Sequence, residues 1–296
     1  MNLIQAIILG VVQGLTEFIP VSSTAHLIFA TRLTGLSASQ SAEQLTATIA
    51  VIQLGTLLAV FVYFARDILS ITFAFVRDHL ALLGGRGAAP GAVGGRGFFA
   101  RLSNEARLGW LIFIGSLPIG VVGLLFKKQI EGTFTKNLWV IATMMIVVAL
   151  LLVVAEKVGS KERGMEELGL RDALAVGFAQ VLALIPGASR SGSTIMGGLF
   201  AGERREAAAR FSFLLSIPAI SASGLLELKE ALHRLPAGSG LPLVVATAVS
   251  GVVGYASIWF LLRFLRTHST GIFIFYRLAV GGLILALLAA GMIQAN

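Results

Sequence analysis

The stretch TEFIPVSSTAHL, residues 16–27, gathers a carboxylate (Glu17), an imidazole (His26) and the hydroxyls of Ser22, Ser23 and Thr24 around one proline. A second stretch, PGASRSGST at 186–194, adds Ser189, Arg190, Ser191, Ser193 and Thr194. An acid and a base in one site can move protons during bond cleavage. A guanidinium among hydroxyls and glycine-opened backbone N–H groups suits phosphate oxygens. Glu17 could instead hold a divalent metal that bridges phosphates, and Gln13 lies one helical turn before it on the same face. Both stretches have apolar flanks. An ionised arginine at membrane depth costs at least about 2.5 kcal/mol, so Arg190 is expected to be paired or to bind an anion.

The elements that must position these groups are apolar helices. Of 296 residues, 56% are hydrophobic and 13% charged, with a mean hydropathy of +0.87. A soluble domain carries about 25% charged residues, so this composition reads as a single polytopic, all-α membrane domain. The net charge of +8 fits basic loops better than nucleic-acid binding, since no compact polar module exists to carry the latter. The absence of cysteine excludes disulfides and thiolate metal sites. The first basic residue is Arg32, so no cleaved signal peptide is expected. Six blocks, 44–64, 108–126, 138–155, 208–228, 241–264 and 272–293, have the length to span a bilayer. Pro118 and Pro218 are expected to kink two of them. Residues 68–83 read as an interfacial helix broken by Arg77–His79, and 84–97 as a flexible basic loop without the lysine ending of a phosphate loop.

Residues 2–35 and 171–202 fit neither pattern. Each has two apolar arms too short to span, separated by a proline and small polar residues. Each is expected to be a re-entrant hairpin with a broken tip. The tips match: Gln13, Pro20 and Ser23 in one, Gln180, Pro186 and Ser189 in the other. Each hairpin precedes three spans, so the second copy must start from the opposite side. The expected architecture is an inverted repeat of one re-entrant hairpin plus three transmembrane helices per half, with residues 1–155, a charged linker at 156–171, and 172–296. Loops at 65–107, 156–171, 202–210 and 263–271 carry most of the basic residues and are expected to be cytoplasmic, although KKQIEGTFTK runs against that assignment.

QGLTEFIPVSSTAHL and PGASRSGST resemble the two signature stretches of the undecaprenyl-diphosphatase family, also called the bacitracin-resistance family. The resemblance covers nearly the whole chain, and two separated motifs stand in the family's order. It implies a bacterial plasma (inner) membrane enzyme that hydrolyses undecaprenyl diphosphate to undecaprenyl phosphate and inorganic phosphate. It also implies a divalent cation, Mg2+ or Ca2+, and a site open to the outer side. The family's acidic motif falls on Gln13 and Glu17, its serine and histidine on Ser23 and His26, and its arginine on Arg190, with Ser189 and Thr194 beside it. Gln13 replaces the family's more frequent glutamate, and Ala25 stands where glycine usually precedes the histidine.

On this reading Ser22, Thr24, Ser189, Arg190, Ser191 and Thr194 bind phosphate, Glu17 and Gln13 hold the metal, and Ser23 attacks with His26 as acid/base. Water activated by His26 is the rival nucleophile. Plainer readings stand beside these. Membrane serines and threonines commonly bond their own backbone, above all Ser22 and Ser193. His79, His233 and His268 read as solvated, Arg204 and Arg205 as interfacial anchors, and Arg277 as a residue reaching the cytoplasmic interface. The expected partners are a polyprenyl diphosphate and membrane lipids, with a homodimer left open. The alternative function is a lipid-phosphate flippase or transporter with the same midplane site.

Overall fold

A computed structural model describes residues 1–85, 89, 92, 97–126, 137–231 and 240–295. In chain order the helices are α1 Leu3–Phe18, α2 Ser23–Leu33, the short α3 Leu36–Ser39, α4 Ala42–Tyr63, α5 Ala65–Leu83, α6 Asn104–Leu125, α7 Leu138–Val158, α8 Leu170–Val181, α9 Arg190–Phe200, α10 Arg205–Ala231, α11 Gly240–Leu265 and α12 Gly271–Ala289. No strand is present among the described residues, only two isolated bridges. The boundaries follow local chemistry. Asn2 with Gln5 and Ser41 with Gln44 form capping boxes on α1 and α4. Ile19 and Ile185 are extended because a proline follows each.

Five helices are long and apolar enough to cross a membrane: Glu43–Tyr63, Asn104–Leu125, Leu138–Val158, Gly240–Leu265 and Gly271–Ala289. They coincide with five of the six expected spans. The sixth, 208–228, lies within α10, where side chains at 223 and 225–231 are outside the described residues. Most of the 84–97 loop, Lys127, Lys128, Lys136, His233 and Arg234, and the side chain of Lys229, also lie outside the described residues. Pro118 and Pro218 sit inside continuous helices.

α1 packs along α11, and α8 packs along α6. α4 meets both α10 and α11, α10 meets α6, and α7 meets α12. Two of the close approaches are made at glycines. A Cβ on Gly10 would lie 2.5 Å from the Ala246 carbonyl oxygen, and one on Gly177 2.4 Å from that of Gly115. Each glycine stands three residues before a fully buried glutamine, Gln13 or Gln180. Beneath the first tip, Phe18 meets Phe213 edge-on at 5.5 Å within the largest apolar cluster.

The linker at 156–171 is bound to the α9–α10 turn. Arg204 N donates to the Arg163 carbonyl at 2.8 Å, and Arg163 pairs with Asp172 through both carboxylate oxygens at 2.6 and 2.8 Å. Glu156 accepts from Arg205 and from Thr270. His79, expected in solvent, is instead half-buried. It accepts from Trp110 Nε1 at 3.0 Å and stacks on Phe75, because α5 folds back on α6 and its aromatic residues cluster there.

Candidate active site

α1 ends at Phe18 and α2 begins at Ser23, so residues 19–22 form the first tip; residues 185–189 form the second, before α9. Ser22 and Ser189 are the residues that turn the chain into α2 and α9. Both have positive φ, 78° and 68°, a conformation that costs a non-glycine residue about 1–3 kcal/mol. Each lies nine positions after its buried glutamine. Ser22 and Ser189 are thus alike in backbone conformation and in distance from a buried glutamine, and Ser23 and Arg190 each open the helix that follows.

The tips meet. Arg190 Nη2 donates to Glu17 Oε1 at 3.2 Å, with both side chains about nine-tenths buried. Glu17 Oε2 accepts from Ser23 Oγ at 3.1 Å and from Gln13 Nε2 at 3.2 Å. Gln13 Nε2 also reaches Thr56 Oγ1 of α4 at 3.4 Å, a residue with no signal in the sequence motifs. Arg190 Nη1, Gln13 Oε1 and Ser22 Oγ are buried without a partner among the described residues. Such groups are costly unless something satisfies them. The Ser22 side chain makes no capping bond, so the first N–H groups of α2 are free of side-chain caps, and a helix N-terminus favours an anion. Ser189 Oγ caps α9 through Gly192 N and contacts Ser191 Oγ, each at 3.2 Å.

His26 is placed otherwise than the sequence suggests. Its Nδ1 lies 2.7 Å from the Ser22 carbonyl and its Nε2 2.7 Å from the Tyr276 hydroxyl. Ser23 is thus bonded to Glu17 and not to His26. Thr194 Oγ1 bonds the Arg190 carbonyl and Ser212 Oγ, which ties α9 to α10 and takes it away from the tip contact. Thr24 is exposed, with no side-chain bond to the cluster. Ser22 and Ser193 do not bond their own backbone.

Arg277 overturns its sequence reading. It is fully buried rather than interfacial. Its guanidinium donates to the carbonyls of Pro20 in the first tip (3.3 Å), Gly187 and Ala188 in the second (3.0 Å each), and Met144 and Met145 in α7 (3.3 and 3.1 Å). A cation satisfied by carbonyls alone leaves its charge beside the two tips. A residue in an apolar span with no carboxylate within reach was the available signal.

The oxygen-rich set around Glu17 matches what a hard divalent cation prefers. Gln13 Oε1 is unpartnered beside the Glu17 carboxylate. Among the described residues no group of three or more His, Cys, Asp or Glu side chains could ligate a metal. One carboxylate with an amide oxygen still suits an ion whose other ligands are substrate phosphates.

The family described as Bacitracin resistance protein BacA matches residues 6–283. The undecaprenyl-diphosphatase of Syntrophobacter fumaroxidans is 50% identical over 285 residues, covering 96% of this chain and 97% of that protein. That of Chlorobium phaeobacteroides is 47% identical over 304 residues, covering all of both chains. That of Myxococcus xanthus is 46% identical over 294 residues, covering 99% of this chain and 92% of that protein.

Proposed function

The chain belongs to the bacitracin resistance protein BacA family, and we propose that it hydrolyses undecaprenyl diphosphate to undecaprenyl phosphate and inorganic phosphate. The name its relatives carry supports the reaction. One observation carries it to particular residues. Arg190 contacts Glu17 through one nitrogen while the other is buried without a partner. A phosphate oxygen bound by that fork would satisfy Nη1, with Ser22 Oγ and the α2 N-terminus beside it.

Catalysis starts with substrate drawing Arg190 toward its terminal phosphate. Glu17, bonded to Ser23 Oγ, takes the serine proton as Ser23 attacks the terminal phosphorus. The phosphoanhydride bond breaks and undecaprenyl phosphate leaves. Water then releases inorganic phosphate from the phosphoserine, with His26 as the proton acceptor and Glu17 returning the proton to Ser23. Ser189, Ser191 and Thr194 shape the tip that presents Arg190. A divalent cation, Mg2+ or Ca2+, would be held by Glu17 and Gln13 Oε1. It would neutralise phosphate charge.

The same reading includes the finer architecture. The partners of α1 and α8 support an inverted repeat of 1–155 and 172–296 about the 156–171 linker, with two re-entrant hairpins and six spans. The basic loops support placing 65–107, 156–171, 202–210 and 263–271 inside, and the resemblance to the family adds a bacterial plasma (inner) membrane and a site open to the outer side.

Purified protein in detergent with Mg2+ should release phosphate from undecaprenyl or farnesyl diphosphate, and acid quench should trap phosphate on Ser23. Release no faster than buffer would sink the reaction. A Ser23→Ala enzyme that keeps most of its turnover would replace the serine with water as nucleophile.

A further inference from the structure

Tyr276 and Arg277 are neighbours in the first turns of α12 and point to different parts of the site. Arg277 is buried on the tip carbonyls, whereas Tyr276 is 40% exposed. The Tyr276 hydroxyl meets His26 Nε2 at 2.7 Å, and the two rings lie 5.6 Å apart and within 14° of parallel. On the opposite edge Nδ1 meets the Ser22 carbonyl at 2.7 Å. A carbonyl can only accept, so Nδ1 carries the proton, and in the neutral ring Nε2 accepts from the tyrosine.

We propose that Tyr276 is a positioning residue for His26, its hydroxyl and ring holding the imidazole in one plane and one tautomer with Nε2 as the basic atom. The inference rests on the role given to His26 above. A single bond at Nδ1 leaves the ring free to tilt, and a second bond at the opposite nitrogen removes that freedom. The stack confines the ring from its face. A tyrosine hydroxyl donates to a neutral imidazole and accepts from a protonated one by turning its O–H. With both ring nitrogens engaged, the proton that His26 gains reaches Nε2 through this hydroxyl, which takes one from water as it gives its own to the ring, and the O–H then turns to accept from the imidazolium. Ser22, at the other end of the ring, is the positive-φ tip residue, so Tyr276 also links α12 to the shape of the first tip.

The test uses full-length protein in detergent. Tyr276→Phe keeps the ring and removes the hydroxyl. We expect kcat to fall about 10-fold with KM within about two-fold, since an orienting contact serves the proton-transfer step rather than binding. In a His26→Ala background the same substitution should add nothing further. Independently of activity, the 15N resonance of His26 Nε2 should move in Tyr276→Phe while Nδ1 stays protonated. Unchanged kcat in Tyr276→Phe, an equal further loss in the His26→Ala background, or an unmoved Nε2 resonance would overturn the inference. If His26→Ala turns over at the wild-type rate, the role of His26 fails and takes the inference with it. If His26→Ala is inactive and Tyr276→Phe is fully active, the inference alone fails.

Discussion

Arg190→Lys separates charge from geometry. Arginine at this position spans two tasks, with Nη2 on Glu17 at 3.2 Å and Nη1 buried and free for phosphate. Lysine keeps the charge but offers a point ammonium with no fork, so it can serve Glu17 or the phosphate and not both. Removing one donor aimed at developing charge costs about 2.7–4 kcal/mol, or about 100- to 1000-fold in rate. The kcat/KM of Arg190→Lys should therefore fall about 100-fold. Its melting temperature should stay near that of the wild type, because the ammonium can still neutralise Glu17. Arg190→Ala should lose activity and also stability, by about 3–5 kcal/mol, because it leaves the buried carboxylate alone. Phosphate release at subsaturating farnesyl diphosphate gives the first quantity. Intrinsic fluorescence of the three tryptophans during heating gives the second. An Arg190→Lys enzyme within three-fold of wild-type kcat/KM would refute the two-task argument.

Gly187 has φ +90°, and a Cβ there would lie 2.1 Å from the Ile141 carbonyl oxygen. Gly187→Ala should therefore move the second tip off α7, lowering both melting temperature and phosphate release, and a variant that melts and turns over normally would remove this tight contact from the account. Glu203, in the α9–α10 turn, is pushed up to about 8 by burial and then by Asp172, against the pull of Arg163. The folded state then binds the proton more tightly than the unfolded chain, so this stability is fully present below about pH 4.5 and is lost as pH rises through about 8. Glu203→Gln should flatten the decline of melting temperature across that window, and an unchanged slope would count against a protonated Glu203.

Much of the site was readable because membrane depth makes polar residues conspicuous. Glu17 and Arg190 are 173 positions apart, yet each is an ionised group in a short apolar hairpin, and two such groups need one another. The breaks at Pro20 and Pro186 were equally legible. What escaped was set by side-chain direction. Spacing places Ser23 near both Glu17 and His26, and only the turn at Ser22 decides that the hydroxyl bonds the carboxylate. The positive φ of Ser22 and Ser189 escaped because a backbone angle on a serine has no composition signature. Arg277 escaped because a basic residue near the end of a span is ordinarily explained by its reach to water. Its true partners are backbone carbonyls, which every residue carries and no motif records.

The Arg277 contacts have a consequence for the growing chain. Residues 13–26 and 186–194 emerge long before residue 277, and a nascent polypeptide that ends ahead of α12 already contains every group proposed to touch phosphate. It lacks the one guanidinium that fastens residue 20 to residues 187 and 188. That fastening between the two tips is thus made only once α12 is present, and a chain released before it would carry the signature residues without it.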